Sequence, residues 1–251
     1  MNPIILLYEE LSLNALPATQ TQFYDGWVLR FTSGYGYTNR ANSVNLLYLS
    51  TLAPEEKIAE CESRYFAQGR PAVFKITDST DTEIDKLLEQ KGYSVLHPTY
   101  IMAADLTAVR FVPGDCDFTS YIDDEWLDAY FRLSKYTDSS ILSVARQVFG
   151  SIKVDVLCGR IIKNGQIIAC GLCVMERGYA GIYNVVVHET QRGKGYGRSL
   201  CRSLLAAAQR LGAHTSYLQV VQDNRAAIHL YEKFGYKTVY SYWYRVKKGE
   251  A

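Results

Sequence analysis

The chain has 251 residues, 48% hydrophobic and 21% charged, enough apolar material for one large or two small buried cores. A net charge of +1 and a pI near 7.6 leave no electrostatic footprint for nucleic acid or a membrane surface, so neither is expected as a partner. No apolar run reaches the roughly 18 residues of a membrane helix, and the N-terminal MNPIILLYEELSL lacks the basic start of a signal peptide, so a cytoplasmic setting is expected.

In chain order, strands are predicted at 26–32 and 43–50, then a helix at 55–68 opened by Pro54. A strand at 72–77, a helix at 81–91 and a strand at 94–105 close this half. Helices at 124–135 and 141–149 open the next. Strands follow at 155–163, 166–176 and 179–188, with Asn164-Gly165 as a hairpin turn between the first two. A helix at 197–211, a strand at 215–221, a helix at 224–234 and a strand at 237–246 complete the chain.

The two halves repeat. LLEQKGYSV in the first answers to LYEKFGYKTV in the second, placing Gly235 143 residues after Gly92. Gly69 and Gly212, each closing a predicted helix, stand at the same 143-residue offset. The breaker pair Pro113-Gly114 marks the boundary, giving domains 1–114 and 115–251.

Six cysteines, at 61, 116, 158, 170, 173 and 201, are too sparse for a disulfide-held domain. Cys170 and Cys173 form a CxxC, but it lies inside an apolar strand, where residues three apart point to opposite faces. No second Cys or His pair stands at metal spacing. Packed strand cysteines are expected, and no metal site.

The chemistry concentrates in VVVHETQRGKGYGRSL. A valine strand enters a loop carrying Gly193, Gly195 and Gly197, and the loop opens a helix with Cys201, Leu204, Leu205, Ala208 and Leu211 on one face. Small residues let backbone approach an anion, free amides at a helix start attract it, and Arg192, Lys194 and Arg198 add full charges. A diphosphate is the natural guest. Neither nucleotide pattern fits: Gly195 and Tyr196 follow Lys194 where a Walker loop needs Ser or Thr, and Arg198 and Leu200 replace the last glycine of a Rossmann fingerprint.

The pattern that fits is R-x-x-G-x-G at Arg192, Gly195 and Gly197, which resembles the pyrophosphate loop of the GNAT superfamily of acyl-CoA N-acyltransferases. The string NRAAIHLYEKFGY is similar to the family's second signature, with Asn224 and Tyr231 seven residues, or two helical turns, apart. The resemblance implies tandem mixed α/β (α+β) folds, each a mostly antiparallel sheet with a splayed parallel pair flanked by helices. It implies that residues 192–198 (Arg192, Gly193, Lys194, Gly195, Tyr196, Gly197 and Arg198) hold the diphosphate of acetyl-CoA. Val185, Val186 and Val187 would pair through their main chain with the pantetheine arm, and a backbone amide near Val187 would polarise the thioester. Asn224 would help hold the cofactor. Tyr231 would protonate the departing thiolate, a role a tyrosine of pKa about 10 can fill.

Two departures qualify the resemblance. Gln219 stands where some relatives carry a Glu, and it cannot take a proton from the acceptor amine; Glu176, Glu189 and His188 are the nearby groups with that capacity, alongside a chain of water. The first half has Leu49-Ser50-Thr51-Leu52-Ala53-Pro54 in place of the glycine loop, and Leu88 at the offset of Tyr231. It reads as a degenerate copy. Residues 32–43, with their Gly-Tyr alternation, read either as a lining for an acceptor pocket or as a polar loop. The expected partners are acetyl-CoA and an amine-bearing acceptor; a non-catalytic acyl-CoA sensor is the rival reading.

Overall fold

A computed structural model describes residues 2–32 and 38–249, so residues 33–37 of the Gly-Tyr stretch lie outside the described residues. The elements are α1 (Pro3–Ala15), β1 (Gln20–Tyr24), β2 (Trp27–Phe31), β3 (Val44–Leu46), α2 (Pro54–Phe66), β4 (Ala72–Thr77), α3 (Thr82–Gln90) and β5 (Ser94–Asp105). They continue with β6 (Asp117–Thr119), α4 (Asp124–Ser134), α5 (Ser139–Gly150), β7 (Asp155–Lys163), β8 (Gln166–Glu176) and β9 (Tyr179–Val187). Last come α6 (Tyr196–Arg210), β10 (Thr215–Val221), α7 (Arg225–Glu232) and β11 (Lys237–Lys247).

Compactness divides the chain into two units, Met1–Tyr100 with Tyr240–Ala251, and Ile101–Val239. The division therefore does not fall at 114/115, where the sequence repeat puts it. The reason is the last strand of each repeat. Most of β11 belongs to the first unit, paired antiparallel with β4 from Tyr242↔Thr77 to Lys247↔Ala72. The end of β5, from Ile101, belongs to the second unit, beside β10. Because β4 and β10, and β5 and β11, stand at the repeat offset, each unit is completed by the other half's terminal strand.

In the first unit the strand order is β1-β2-β3-β4-β11, antiparallel except for the β3–β4 pair. Trp27, Leu29, Phe31, Val44, Phe74 and Ile76 pack with Ile58, Cys61 and Tyr65 of α2 and Leu88 of α3. Asp85 of α3 ties β11 in, accepting from Trp243 Nε1 (3.1 Å) and from Arg245 Nε and Nη2 (2.8 and 2.9 Å). Strand β3 is shorter than expected because the chain after it turns toward the β1–β2 hairpin, with Tyr48 N donating to Gly26 O (2.9 Å). Helix α1 escaped the sequence reading: its buried side includes Glu9 and Ser12, which break the apolar stripe. Glu9 is satisfied there by Lys75 Nζ (2.7 Å to each oxygen) and the Tyr240 hydroxyl (2.7 Å).

In the second unit the order is β5-β10-β9-β8-β7-β6, with β6 to β9 antiparallel and β9–β10 parallel. Asn164 and Gly165 both take left-handed conformations (φ 52° and 71°), as a two-residue hairpin turn requires. Trp126 of α4 is fully buried, donating to Gly159 O (3.1 Å) and stacking on Tyr130. Cys170 and Cys173 are buried free thiols, pushed up to about 12 by desolvation, which makes them inert packing residues.

The repeat is visible in hydrogen bonds. Tyr93 N donates to Leu88 O (3.1 Å) past Gly92, and Tyr236 N to Tyr231 O (3.2 Å) past Gly235. Arg70 N to Tyr65 O (3.1 Å) and Ala213 N to Ala208 O (3.0 Å) close the other helix pair around Gly69 and Gly212. All four glycines are left-handed, the conformation these helix stops need.

Candidate functional site

The site lies within the second unit, where β9 and β10 part. Their parallel ladder runs from Thr215↔Tyr179 to Leu218↔Ile182. At the next residues β9 bulges: its register against β8 shifts between Cys170 and Leu172, and Asn184 is left-handed at φ 53°. Beyond the bulge, Val186 and Val187 remain paired with Cys170 and Ala169 of β8. Among the described residues, no ladder joins Val185–Val187 to β10, so that edge of the strand is open to another extended chain.

A pair of tyrosines marks the last rungs. Tyr183 and Tyr217 meet hydroxyl to hydroxyl at 3.0 Å, both buried, above Gly181. A Cβ on Gly181 would stand 2.5 Å from the Tyr183 ring and 2.8 Å from the Tyr217 hydroxyl, so only glycine fits beneath the pair. Nothing in the sequence separated these two tyrosines from the other eighteen, or this glycine from the rest.

After Val187 the chain makes a 3₁₀ turn over Glu189–Gln191 and enters the glycine loop. Gly193 and Gly195 are left-handed (φ 76° and 86°), and Gly195 is the N-cap of α6. No atom lies within 4 Å of where their Cβ atoms would sit, so backbone conformation rather than crowding demands glycine there. Gly197 stands under neither constraint: its added Cβ would rest 3.5 Å from Val187 Cγ2. The first i→i−4 bond of α6 is Ser199 N to Gly195 O (2.9 Å), leaving the amides of Tyr196, Gly197 and Arg198 without intrahelical partners. No side chain caps this end, and its first turn holds no acidic residue.

The three basic residues are exposed around this amide cluster. Arg192 reaches back, its Nε donating to Val187 O (3.3 Å), which fastens the loop to the end of β9. Lys194 Nζ donates to Gln191 Oε1 (3.2 Å), and Lys163 Nζ meets the Tyr196 hydroxyl (3.4 Å). Amides, helix dipole and cations together form a seat for a diphosphate.

What aims the cradle is a glycine pair that sequence reasoning passed over. Gly159 of β7 and Gly171 of β8 are register partners beneath α6. An added Cβ would lie 3.0 Å from Leu200 and 3.1 Å from Leu204 at the first, and 3.2 Å from Leu204 at the second. The helix settles on bare backbone, and its head comes to lie over Val187.

Tyr231 is half-buried on α7, its ring 5.7 Å from Tyr236. Tyr236 is fixed in turn by Ser216 Oγ (2.6 Å), which donates to Ala180 O (2.7 Å). Burial pushes the Tyr231 hydroxyl well above the ordinary phenol range, with Cys201 of α6 a further contributor. It therefore keeps its proton at neutral pH. Asn224 is exposed and serves as the N-cap of α7, accepting from Ala227 N (3.1 Å).

The groups able to accept the amine proton are otherwise engaged. Glu189 is paired with Lys135 (2.6 Å), which holds its pKa below the usual carboxylate range. His188 Nδ1 is taken up in a local turn, 2.9 Å from the Thr190 hydroxyl and 3.3 Å from Thr190 N. Glu176 is paired in register with Tyr179, at the far end of β8 from Val187. Among the described residues, no cluster of three or more His, Cys, Asp or Glu side chains has metal-site geometry, and no helix is long and apolar enough to cross a membrane.

A splayed parallel pair feeding a glycine loop at a helix head defines a GNAT-type acyltransferase fold. The family model described as "Probable histone acetyltransferase Rv0428c C-terminal" matches residues 5–245, and the chain belongs to that family. It is 28% identical over 246 residues to "Uncharacterized N-acetyltransferase YobR" of Bacillus subtilis (strain 168), covering 96% of this chain and 97% of the relative. The fold matches a GCN5-related N-acetyltransferase from Kribbella flavida with a TM-score of 0.72 at 13% identity, over 100% of this chain and 98% of that one. A tandem GNAT protein from the clavulanic acid biosynthesis pathway matches with a TM-score of 0.69 at 14% identity, over 100% and 97%. The protein is an acyltransferase of the GNAT type.

Proposed function

We propose that the second unit transfers an acetyl group from acetyl-CoA to a primary amine by direct attack. The observation that carries this reading is the left-handed Gly193–Gly195 loop, which presents the free amides of α6 beside the unpaired edge of Val185–Val187. The residues fit the cosubstrate: the cradle takes the diphosphate, the strand edge takes the pantetheine amides, and Tyr231 holds a proton for the departing sulfur. Acetyl-CoA would supply the activated acyl group. The protein's own part is to bind, orient and donate. With Gln219 unable to act as a base and its neighbours engaged, the amine's proton leaves through water. The first half, with no glycine loop, acts as a degenerate partner domain. The six free cysteines fit a reducing cytoplasm.

The missing base also favours a second reading, an acyl-CoA sensor without turnover. Two measurements separate them. Acetyl-CoA should raise the melting temperature, because a ligand that binds only the native state stabilises it by mass action. No rise would defeat both readings. Free thiol should then appear with a panel of amines; binding without thiol release would leave the sensor.

A further inference from the structure

At the repeat offset, Thr51 and Leu52 of the first unit stand where Lys194 and Gly195 stand in the second. Their amides converge on one carboxylate. Thr51 N donates to both oxygens of Asp25 (3.0 and 2.9 Å), and Leu52 N donates to Oδ2 (2.9 Å). The Thr51 hydroxyl adds a bond of 2.8 Å, and the Lys57 ammonium stands 3.2 Å away. The Lys57 side chain is 0% exposed; it lies over the Trp27 ring and donates to Asp25 O (2.5 Å) and the Ser50 hydroxyl. Helix α2 has no side-chain cap of its own. Asp25 reaches this place from the Asp25-Gly26 turn of the β1–β2 hairpin, held left-handed at φ 40°.

We infer that the first unit retains an anion seat, made of two loop amides, a hydroxyl and a buried ammonium, whose resident ligand is the chain's own Asp25 carboxylate. Every donor in the seat is charge-assisted by one carboxylate, and the carboxylate is the counter-ion of a fully buried lysine. The Leu52 amide first, then the Thr51 hydroxyl and amide and Lys57, hold the Asp25 carboxyl far below its ordinary range. The consequence is functional. The loop amides at the offset of Lys194 and Gly195 are closed here from within, and Pro54, at the offset of Gly197, has no amide to offer, so this unit presents no open amide cradle among its described residues. The inference concerns the first unit alone and stands whether or not the second transfers acetyl groups.

Chemical rescue tests it. Asp25→Gly removes the carboxylate without straining the left-handed turn, and should lower the melting temperature by several degrees. Sodium formate should recover at least half of that loss, while sodium chloride at equal ionic strength should not. Wild type should gain nothing comparable from formate, and neither should Asp25→Gly combined with Lys57→Met, in which no cation awaits an anion. Equal formate effects in all three proteins would overturn the inference. Should Asp25→Gly not fold, the wild-type amide resonances of Thr51 and Leu52 decide: they should move together on acidification, with a midpoint below the ordinary carboxylate value of about 3.9. A midpoint at the ordinary value would sink the seat.

Discussion

Tyr231 sits against Tyr236 and near Cys201, and desolvation there raises its pKa above the ordinary 10.0. A proton donor fails only as pH rises through its pKa, so its loss should not appear below pH 10. The rate should instead climb with pH as the acceptor amine deprotonates, with no alkaline fall in that range. Tyr231→Phe should reduce thiol release about a hundredfold or more while leaving stabilisation by acetyl-CoA nearly unchanged. Unaltered turnover would remove the donor role. The sequence singles this residue out by a seven-residue spacing, two helical turns from Asn224. Asn224 itself shows the limit of such reading: the spacing marks its position, but not that its side chain caps its own helix. His188 is similar, since its bond to Thr190 depends on a turn that the sequence did not announce.

The α6 element combines what was legible with what was not. Its loop and the buried positions Cys201, Leu204, Leu205 and Ala208 followed from glycine spacing and helical periodicity. Leu211, expected on the same face, is instead the exposed C-cap, because the helix stops one residue before it. The seat of α6 did not follow from the sequence, because Gly159 and Gly171 lie in different strands and become a pair only through register. The same physics explains the other omissions. Strand β6 is three residues long, and β1 is QTQFY, too polar to alternate clearly. A glycine series separates the roles argued for this helix. Gly195→Ala should cost about 1–2 kcal/mol, the penalty of a left-handed alanine, and should weaken acetyl-CoA binding. Gly159→Ala should cost about 1–3 kcal/mol by pressing on Leu200 and Leu204. Gly197→Ala should leave urea unfolding nearly unchanged and weaken binding alone, because its added Cβ meets the protein only in an ordinary contact with Val187 (3.5 Å). A stability loss at Gly197 equal to that at Gly195 would show that its role is structural.

At the scale of the molecule, the repeat was readable from four glycines, but the exchange of terminal strands was not. Periodicity says that 94–105 and 237–246 are strands and carries no information about which sheet receives them. The exchange makes the sequence boundary a poor place to cut. A fragment of residues 115–251 lacks the Ile101–Asp105 strand that lies beside β10, and it carries Tyr240–Lys247, whose partner β4 is missing. Both defects leave unpaired sheet edges, which promote aggregation. A fragment of residues 101–239 keeps the strand beside β10 and carries no orphaned Tyr240–Lys247 segment, leaving only the short Ile101–Asp105 edge bare. It should be the more soluble and cooperative of the two by gel filtration and thermal melting, and acetyl-CoA should raise its melting temperature, since every residue assigned to the cradle lies within it, as does Tyr231. If 115–251 instead melts cooperatively as a monomer while 101–239 aggregates, the strands are not exchanged in solution. The domains would then follow the repeat, with β11 returned to the half that encodes it.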